Sequence, residues 1–135
     1  MREILFRGKQ TDKDKWVYGV PVKATSKDES EILIIESVFA CDEYLCRGCE
    51  FTPVIPSSVG QYTGLTDKNG KKIFEGDILK YGNNIGCVVY GNGCFAIQDI
   101  HSQNHPAIDL VMVGFEVEII GNIHDNPELL KGGAE

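Results

Sequence analysis

The sequence predicts a mainly β chain, a small barrel-like or rolled antiparallel sheet with a short C-terminal helix. Three observations carry this. Short runs of β-branched and aromatic residues recur along the 135 residues. Turn sequences punctuate them, among them Asn69-Gly70, Gly82-Asn83-Asn84 and Gly91-Asn92-Gly93. Apolar and polar residues alternate with period two, as where Phe115, Val117 and Ile119 share one face and Glu116 and Glu118 the other.

Taken in order, Ile4–Phe6 reads as a first strand, Gly8–Lys15 as a polar turn, and Trp16–Val22 as a second strand, a hairpin with a long loop. Pro21 has no N–H to give a ladder, so the second strand is a sheet edge at that point. Trp16 reads as core or rim packing, with stacking on a base as the functional alternative. Thr25–Ser30 is a polar, acidic loop. Ile32-Leu33-Ile34-Ile35, between Glu31 and Glu36, suits a strand buried on both faces or one placed at an interface.

Phe39–Phe51 holds Cys41, Cys46 and Cys49. Cys46-Arg47-Gly48-Cys49 is a C-x-x-C knuckle, which supplies two of the four ligands of a tetrahedral zinc site. Cys41 is a third weak candidate, and Cys87, Cys94, His101 or His105 would have to complete the set. No second pair stands at structural-zinc spacing, and Pro106 makes the His101–His105 stretch a loop. A dithiol redox role needs a helix after the motif, which Glu50-Phe51-Thr52-Pro53 does not provide. The cysteines therefore read as reduced thiols, with no cofactor or metal expected.

Val59–Tyr81 is the densest run of strand and turn signals. Tyr62, Thr63 and Leu65 form one strand and Ile73 and Phe74 the next, joined at Asn69-Gly70. Glu75-Gly76-Asp77 is a sharp turn into Ile78–Tyr81, with Gly76 supplying a conformation other residues resist and Asp77 binding nearby backbone N–H groups. Asp67, Glu75 and Asp77 read as turn caps; a cation site or an acid–base group is the alternative. Ile85–Tyr90 and Cys94–Ile97 follow as strands, in an order that matches the grammar of small SH3-like barrels. His101–Asp109 is a long polar loop. Leu110–Val113 and Phe115–Ile120 give the last strands. Asn126-Pro127-Glu128 is a helix start, with Asn126 as cap and Pro127 at the first helical position.

Three blocks of this sequence are similar to the signature of the YopX-like family of small phage and prophage proteins. The main block is Val59-Gly60-Gln61-Tyr62-Thr63-Gly64-Leu65, with Asp67-Lys68-Asn69-Gly70 and Ile73-Phe74-Glu75-Gly76-Asp77-Ile78. The second is Ile120-Gly121-Asn122-Ile123 with Asn126-Pro127-Glu128-Leu129-Leu130, and the third is Arg2–Arg7. The resemblance spans nearly the whole chain and implies a fold and a phage setting; it brings no activity with it. The motif residues read as structural. Residues 25–51 match no pattern of the family.

By size the chain is one domain, residues 1–130, with a frayed tail at 131–135. The formal charge of -7 and the pI near 4.9 set it against phosphate, which disfavours nucleic acid as a partner. Lys68, Lys71, Lys72 and Lys80 cluster around the central hairpin and, with Tyr62, Tyr81 or Trp16 as stacking groups, make nucleic-acid binding the second reading. No apolar run is long enough for a membrane span or signal peptide, so the expected place is the cytoplasm. No catalytic constellation stands out. The sequence points to a non-enzymatic assembly or protein-interaction module, acting as a homo-oligomer or on a host or phage protein.

Overall fold

The computed structural model describes residues 3–25, 27, 29–41, 44–100, 108–109 and 116–130, and over 37–50 and 108–109 it describes the backbone alone. The expected domain contains two compact units, Met1–Gln61 and Tyr62–Glu135. Both are antiparallel β.

The first unit holds β1 (Phe6–Lys9), β2 (Trp16–Thr25), β3 (Ser30–Cys41), β4 (Tyr44–Val54), a 3₁₀ turn at Pro56–Ser58 and the start of β5 (Gly60–Thr66). The sheet order is β4-β3-β2-β1-β5. β2 changes partner along its length: Trp16–Gly19 lies against β1, and Val20–Thr25 against β3. Pro21, opposite Ile34, therefore sits where β2 is paired on one side, as its missing N–H requires. The end of β4 returns to the end of β1. The Ile55 N–H donates to the Lys9 carbonyl at 2.8 Å and the Thr11 N–H to the Pro53 carbonyl at 3.3 Å, around a bridge between Gln10 and Val54.

Period two then sorts the side chains. Val17, Ile34 and Val54 are buried together, with Phe6, Ile32 and Val59 packed against them. Each large aliphatic side chain so covered contributes about 1.5–3 kcal/mol. Leu33 and Ile35 point to the opposite face and are only half-buried. The run Ile32–Ile35 is thus fully buried only at Ile34, on the core face, and among the described residues no layer covers Leu33 and Ile35 completely.

The second unit completes β5 and adds β6 (Lys72–Phe74), β7 (Asp77–Tyr81), β8 (Asn84–Gly91), β9 (Cys94–Asp99), β10 (Ile108–Asp109) and β11 (Glu118–Asn122). β5 pairs with β6, and a five-stranded sheet runs β10-β9-β8-β7-β11. Ile73, Leu79, Tyr81, Val88, Ile97 and Val117 form its core, with Leu65, Phe95 and Ile119 packed on it. The chain is mainly β as expected, but the sheets are open: among the described residues β10 and β11 stay at opposite edges instead of closing a barrel. The C-terminal element is a 3₁₀ turn, Pro127–Leu130, not an α-helix. Four residues of 3₁₀ turn, entered through the Leu129 N–H on the Asn126 carbonyl at 3.0 Å, fall short of the length an α-helix needs.

Candidate interaction surface

Most of the family-motif residues fall into two groups of turns in the second unit, where the oxygens of Asp67, Asp77, Asn122 and Asn126 accept from backbone N–H groups. Asp67 is buried at the start of the β5–β6 turn. Its Oδ1 accepts from the Asn69 and Lys71 N–H groups, both at 2.9 Å, and its Oδ2 accepts from Ile119 N–H at 3.1 Å, 52 residues away. Burial alone would raise its pKa. The donors at Lys71, Ile119 and Asn69, with the Lys71 charge, outweigh that and hold the carboxyl below its ordinary 3.8. Gly70, at φ +81°, closes the turn with its N–H on the Asp67 carbonyl. The Thr63 hydroxyl donates to the Ile73 carbonyl at 2.9 Å and accepts from Leu65 N–H, spanning the register shift between β5 and β6. Gly64 has positive φ in that irregular stretch. Upstream, Gly60 lies opposite Arg7 and Gln61 opposite Phe6.

The Glu75-Gly76 turn is fixed from both sides. Gly76, at φ +93°, donates to the Val88 carbonyl and accepts from Ile123 N–H, each at 2.9 Å. Asp77 is buried and accepts from Phe74 N–H at 2.7 Å. Glu75 is half-buried beside it. The second group is a clasp. Asn122 Oδ1 accepts from His124 and Asp125 N–H, while Asn126 Oδ1 accepts from Asn122 N–H at 3.2 Å. The cap of Asn126 is thus thrown backward across the turn, not forward into a helix, and Pro127 follows it into the 3₁₀ turn. Gly121 makes room: a Cβ there would stand 2.5 Å from Asn126 Oδ1.

The basic hairpin is interleaved with acids. Lys68 Nζ is 3.3 Å from Glu118, Lys80 lies opposite Glu118 in the β7–β11 register, and Lys72 Nζ sits 5.5 Å from the Tyr62 ring centroid. The candidate stacking rings are also engaged. Tyr62 packs on Phe74, the Arg7 guanidinium covers Trp16 at 4.7 Å, and Tyr81 is buried with its hydroxyl donating to Asp99 at 3.3 Å.

The side chains of Cys41, Cys46 and Cys49 lie outside the described residues, as do His101, His105 and the side chain of Asp109. Cys87 is half-buried and Cys94 exposed. Among the described residues no group of three His, Cys, Asp or Glu is placed to hold a metal ion, and no helix is long and apolar enough to cross a membrane.

What the sequence reading missed is a surface in the first unit. The register puts Val20, Ile35 and Phe51 in one row across β2, β3 and β4, and Val22, Leu33 and Pro53 in the next. Tyr18 continues the β2 side of that face. Tyr18 and Val20 are 47% exposed, Val22 40% and Phe51 57%. None of these residues is charged. Trp16–Val22 carries apolar residues at both parities of the strand, and that was the available signal: a strand with no polar side expects cover on both faces.

The chain is mainly β, its motif residues build turns in the second unit, and an apolar sheet face of the first unit lies exposed. The family model described as YopX protein matches residues 5–131, and the chain belongs to the YopX family. It is similar to a crystal structure of protein EF1440 from Enterococcus faecalis, with 25% identity and a TM-score of 0.63 over 96% of this chain and 99% of that one. No curated protein matches the chain.

Proposed function

We propose that the chain is a non-enzymatic protein-interaction module of phage or prophage type, working in the cytoplasm as a homo-oligomer or on a host or phage protein. The observation that carries this is the uncharged face of Tyr18, Val20, Val22, Leu33, Ile35, Phe51 and Pro53. Exposed apolar patches of this kind mark protein contact sites. The motif carboxylates Asp67 and Asp77, by contrast, are occupied with backbone donors, which supports a structural role for them. The interleaving of Lys68 and Lys80 with Glu118 weakens the field that a phosphate backbone would feel.

The test is affinity capture with tagged chain in cells that also express an untagged copy, comparing wild type with Val20→Glu/Val22→Glu. The module reading expects a retained protein, the untagged copy included, that the variant loses. Equal retention by both chains, or none by either, refutes it.

A further inference from the structure

Asn-Gly occurs twice in the second unit, at Asn69-Gly70 and at Asn92-Gly93. The dipeptide is chemically fragile. Glycine has no Cβ to shield its backbone nitrogen, so that nitrogen can reach the carboxamide of the asparagine before it, and asparagine is among the thermolabile residues. The fold treats the two pairs differently.

The first pair is clamped. Gly70 N–H donates to the Asp67 carbonyl at 3.0 Å, and Asp67 Oδ1 accepts from the Asn69 and Lys71 N–H groups, both at 2.9 Å. Asp67 N–H closes the same loop on the Lys71 carbonyl at 2.8 Å. Attack on the Asn69 side chain requires the Asn69–Gly70 peptide plane to rotate until its nitrogen faces the carboxamide carbon. That rotation pulls Gly70 N–H off its acceptor, and it works against neighbours held on both sides by one carboxylate.

The second pair is the whole loop of the β8–β9 hairpin. Gly91 and Cys94 are the last register partners, and only Asn92 and Gly93 stand between them. Their φ angles, +52° and +80°, are both positive, the signature of a type I′ turn. Both residues are exposed, and a Cβ at Gly93 would meet nothing within 4 Å. Among the described residues the Gly93 N–H has no backbone acceptor. The central peptide plane of such a turn carries none of the ladder. Swinging it over converts type I′ to type II′ and takes the Asn92 ψ from about +30° to about −120°, while the outer residues stay paired. The swing strains an L-residue, but it brings the Gly93 nitrogen round to the Asn92 carboxamide and leaves the hairpin's bonds in place.

We propose that Asn92 is a site of spontaneous deamidation and isoaspartate formation in the folded chain, and that Asp67 protects Asn69 from the same reaction. The Gly93 nitrogen gives its proton to water and attacks Asn92 Cγ. The N–Cγ bond forms, the Cγ–Nδ2 bond breaks, and Nδ2 takes up a proton and leaves as ammonia. Water then opens the resulting succinimide. Cleavage of the new N–Cγ bond gives aspartate; cleavage of the original peptide bond gives isoaspartate, with the chain running through Cγ. One water is consumed and one ammonia released, with no oxidation or reduction. The product adds a negative charge to a chain already at -7. As isoaspartate it also adds a backbone carbon between Gly91 and Cys94, so the two-residue turn no longer fits that register.

The test incubates the full chain, folded, at physiological temperature and pH. Chymotryptic peptides are followed by mass spectrometry for the gain from amide to acid, and electron-transfer fragmentation separates isoaspartate from aspartate. The chain unfolded in urea is the reference, where both pairs should convert at comparable rates. In the folded chain Asn92 should convert about tenfold or more faster than Asn69, the effect of the hydrogen bond that rotation breaks at Gly70. Two variants locate the protection. Asp67→Ala releases the Asn69 and Lys71 N–H groups and should raise the Asn69 rate about tenfold, with the Asn92 rate unchanged as the internal sign that the unit stays folded. Asp67→Asn keeps an acceptor at Oδ1 and should hold Asn69 slow. Circular dichroism sets the temperature at which each variant is folded. Equal rates at the two sites of the folded chain, or faster conversion at Asn69, overturn the proposal. So does a folded chain that converts at neither site while the unfolded chain converts at both. An Asn69 rate that Asp67→Ala leaves unmoved, or moves only together with Asn92, overturns the protective role of Asp67.

Discussion

Asp67→Ala tests the claim that the strongest family motif is a fastener. The change removes three acceptor contacts: two inside the turn, to Asn69 and Lys71, and one across the unit, to Ile119. Hydrogen bonds to a charged acceptor contribute about 1.5–3 kcal/mol each, but Asn69 and Lys71 are exposed and water replaces much of what they lose. The Ile119 N–H is partly buried and keeps most of its penalty. The expected loss is about 2–4 kcal/mol, dominated by the Ile119 contact. Amide hydrogen exchange reads it locally: Ile119 protection should fall roughly 30- to 1,000-fold, at about 1.36 kcal/mol per factor of ten. The same residue fixes an acid limb. Its carboxyl is held below the ordinary 3.8 when folded, so its stabilisation is fully present above that value and is lost as pH falls through the folded pKa. The variant should lack that limb. Unchanged Ile119 protection in Asp67→Ala, or an identical acid limb in both chains, would refute the reasoning.

Three further predictions follow from the same unit. Gly76→Val forces a β-branched residue to φ +93° in a turn anchored on both sides, and should cost about 1–3 kcal/mol in thermal unfolding; wild-type melting would show that the turn relaxes. Gly121→Ala drives a methyl toward Asn126 Oδ1 and should cost about 1–3 kcal/mol in urea unfolding, most of it recovered when Asn126→Ala is added. Tyr81 should ionise above its ordinary 10.0, because burial, then the Asp99 charge and their hydrogen bond, favour the neutral phenol. Its stabilisation therefore holds below the ordinary value and fades as pH rises through the folded one. Ultraviolet titration should show one late tyrosine that Tyr81→Phe removes.

Local chemistry was legible in the sequence, and distant pairing was not. Asn69-Gly70 announces its hairpin through Gly70, whose φ of +81° few residues other than glycine accept, and Gly76 announces its positive φ for the same reason. Pro21 announces the place where β2 lacks a second neighbour. Asp67 could be read as a turn cap from its neighbours, but its bond to Ile119 depends on β11 arriving beside the turn, and nothing within the turn encodes that. The Asn126 cap was visible as a residue and misread in direction, since its acceptor faces whichever N–H the clasp with Asn122 presents. The apolar face was missed because an exposed strand face and a buried one share a composition. Only the register of β2, β3 and β4 shows that Val20, Ile35 and Phe51 form one row, and only burial shows which side of Ile34 is covered.

The long bonds of the second unit also impose an order on its birth. The first unit has its core residues once Gln61 has been made, from Phe6 to Val59. In the second unit, Gly76 must wait for the Ile123 N–H and Asp67 for that of Ile119. As synthesis adds on the order of 5–20 residues per second, that wait lasts seconds. During it, the turns at 67–71 and 75–77 can form but cannot be fastened, and β7 presents an open edge to the ribosome's surroundings. A nascent chain arrested before residue 119 should therefore carry a folded first unit tethered to an unfinished second one, a state with its own exposure to chaperones and proteases.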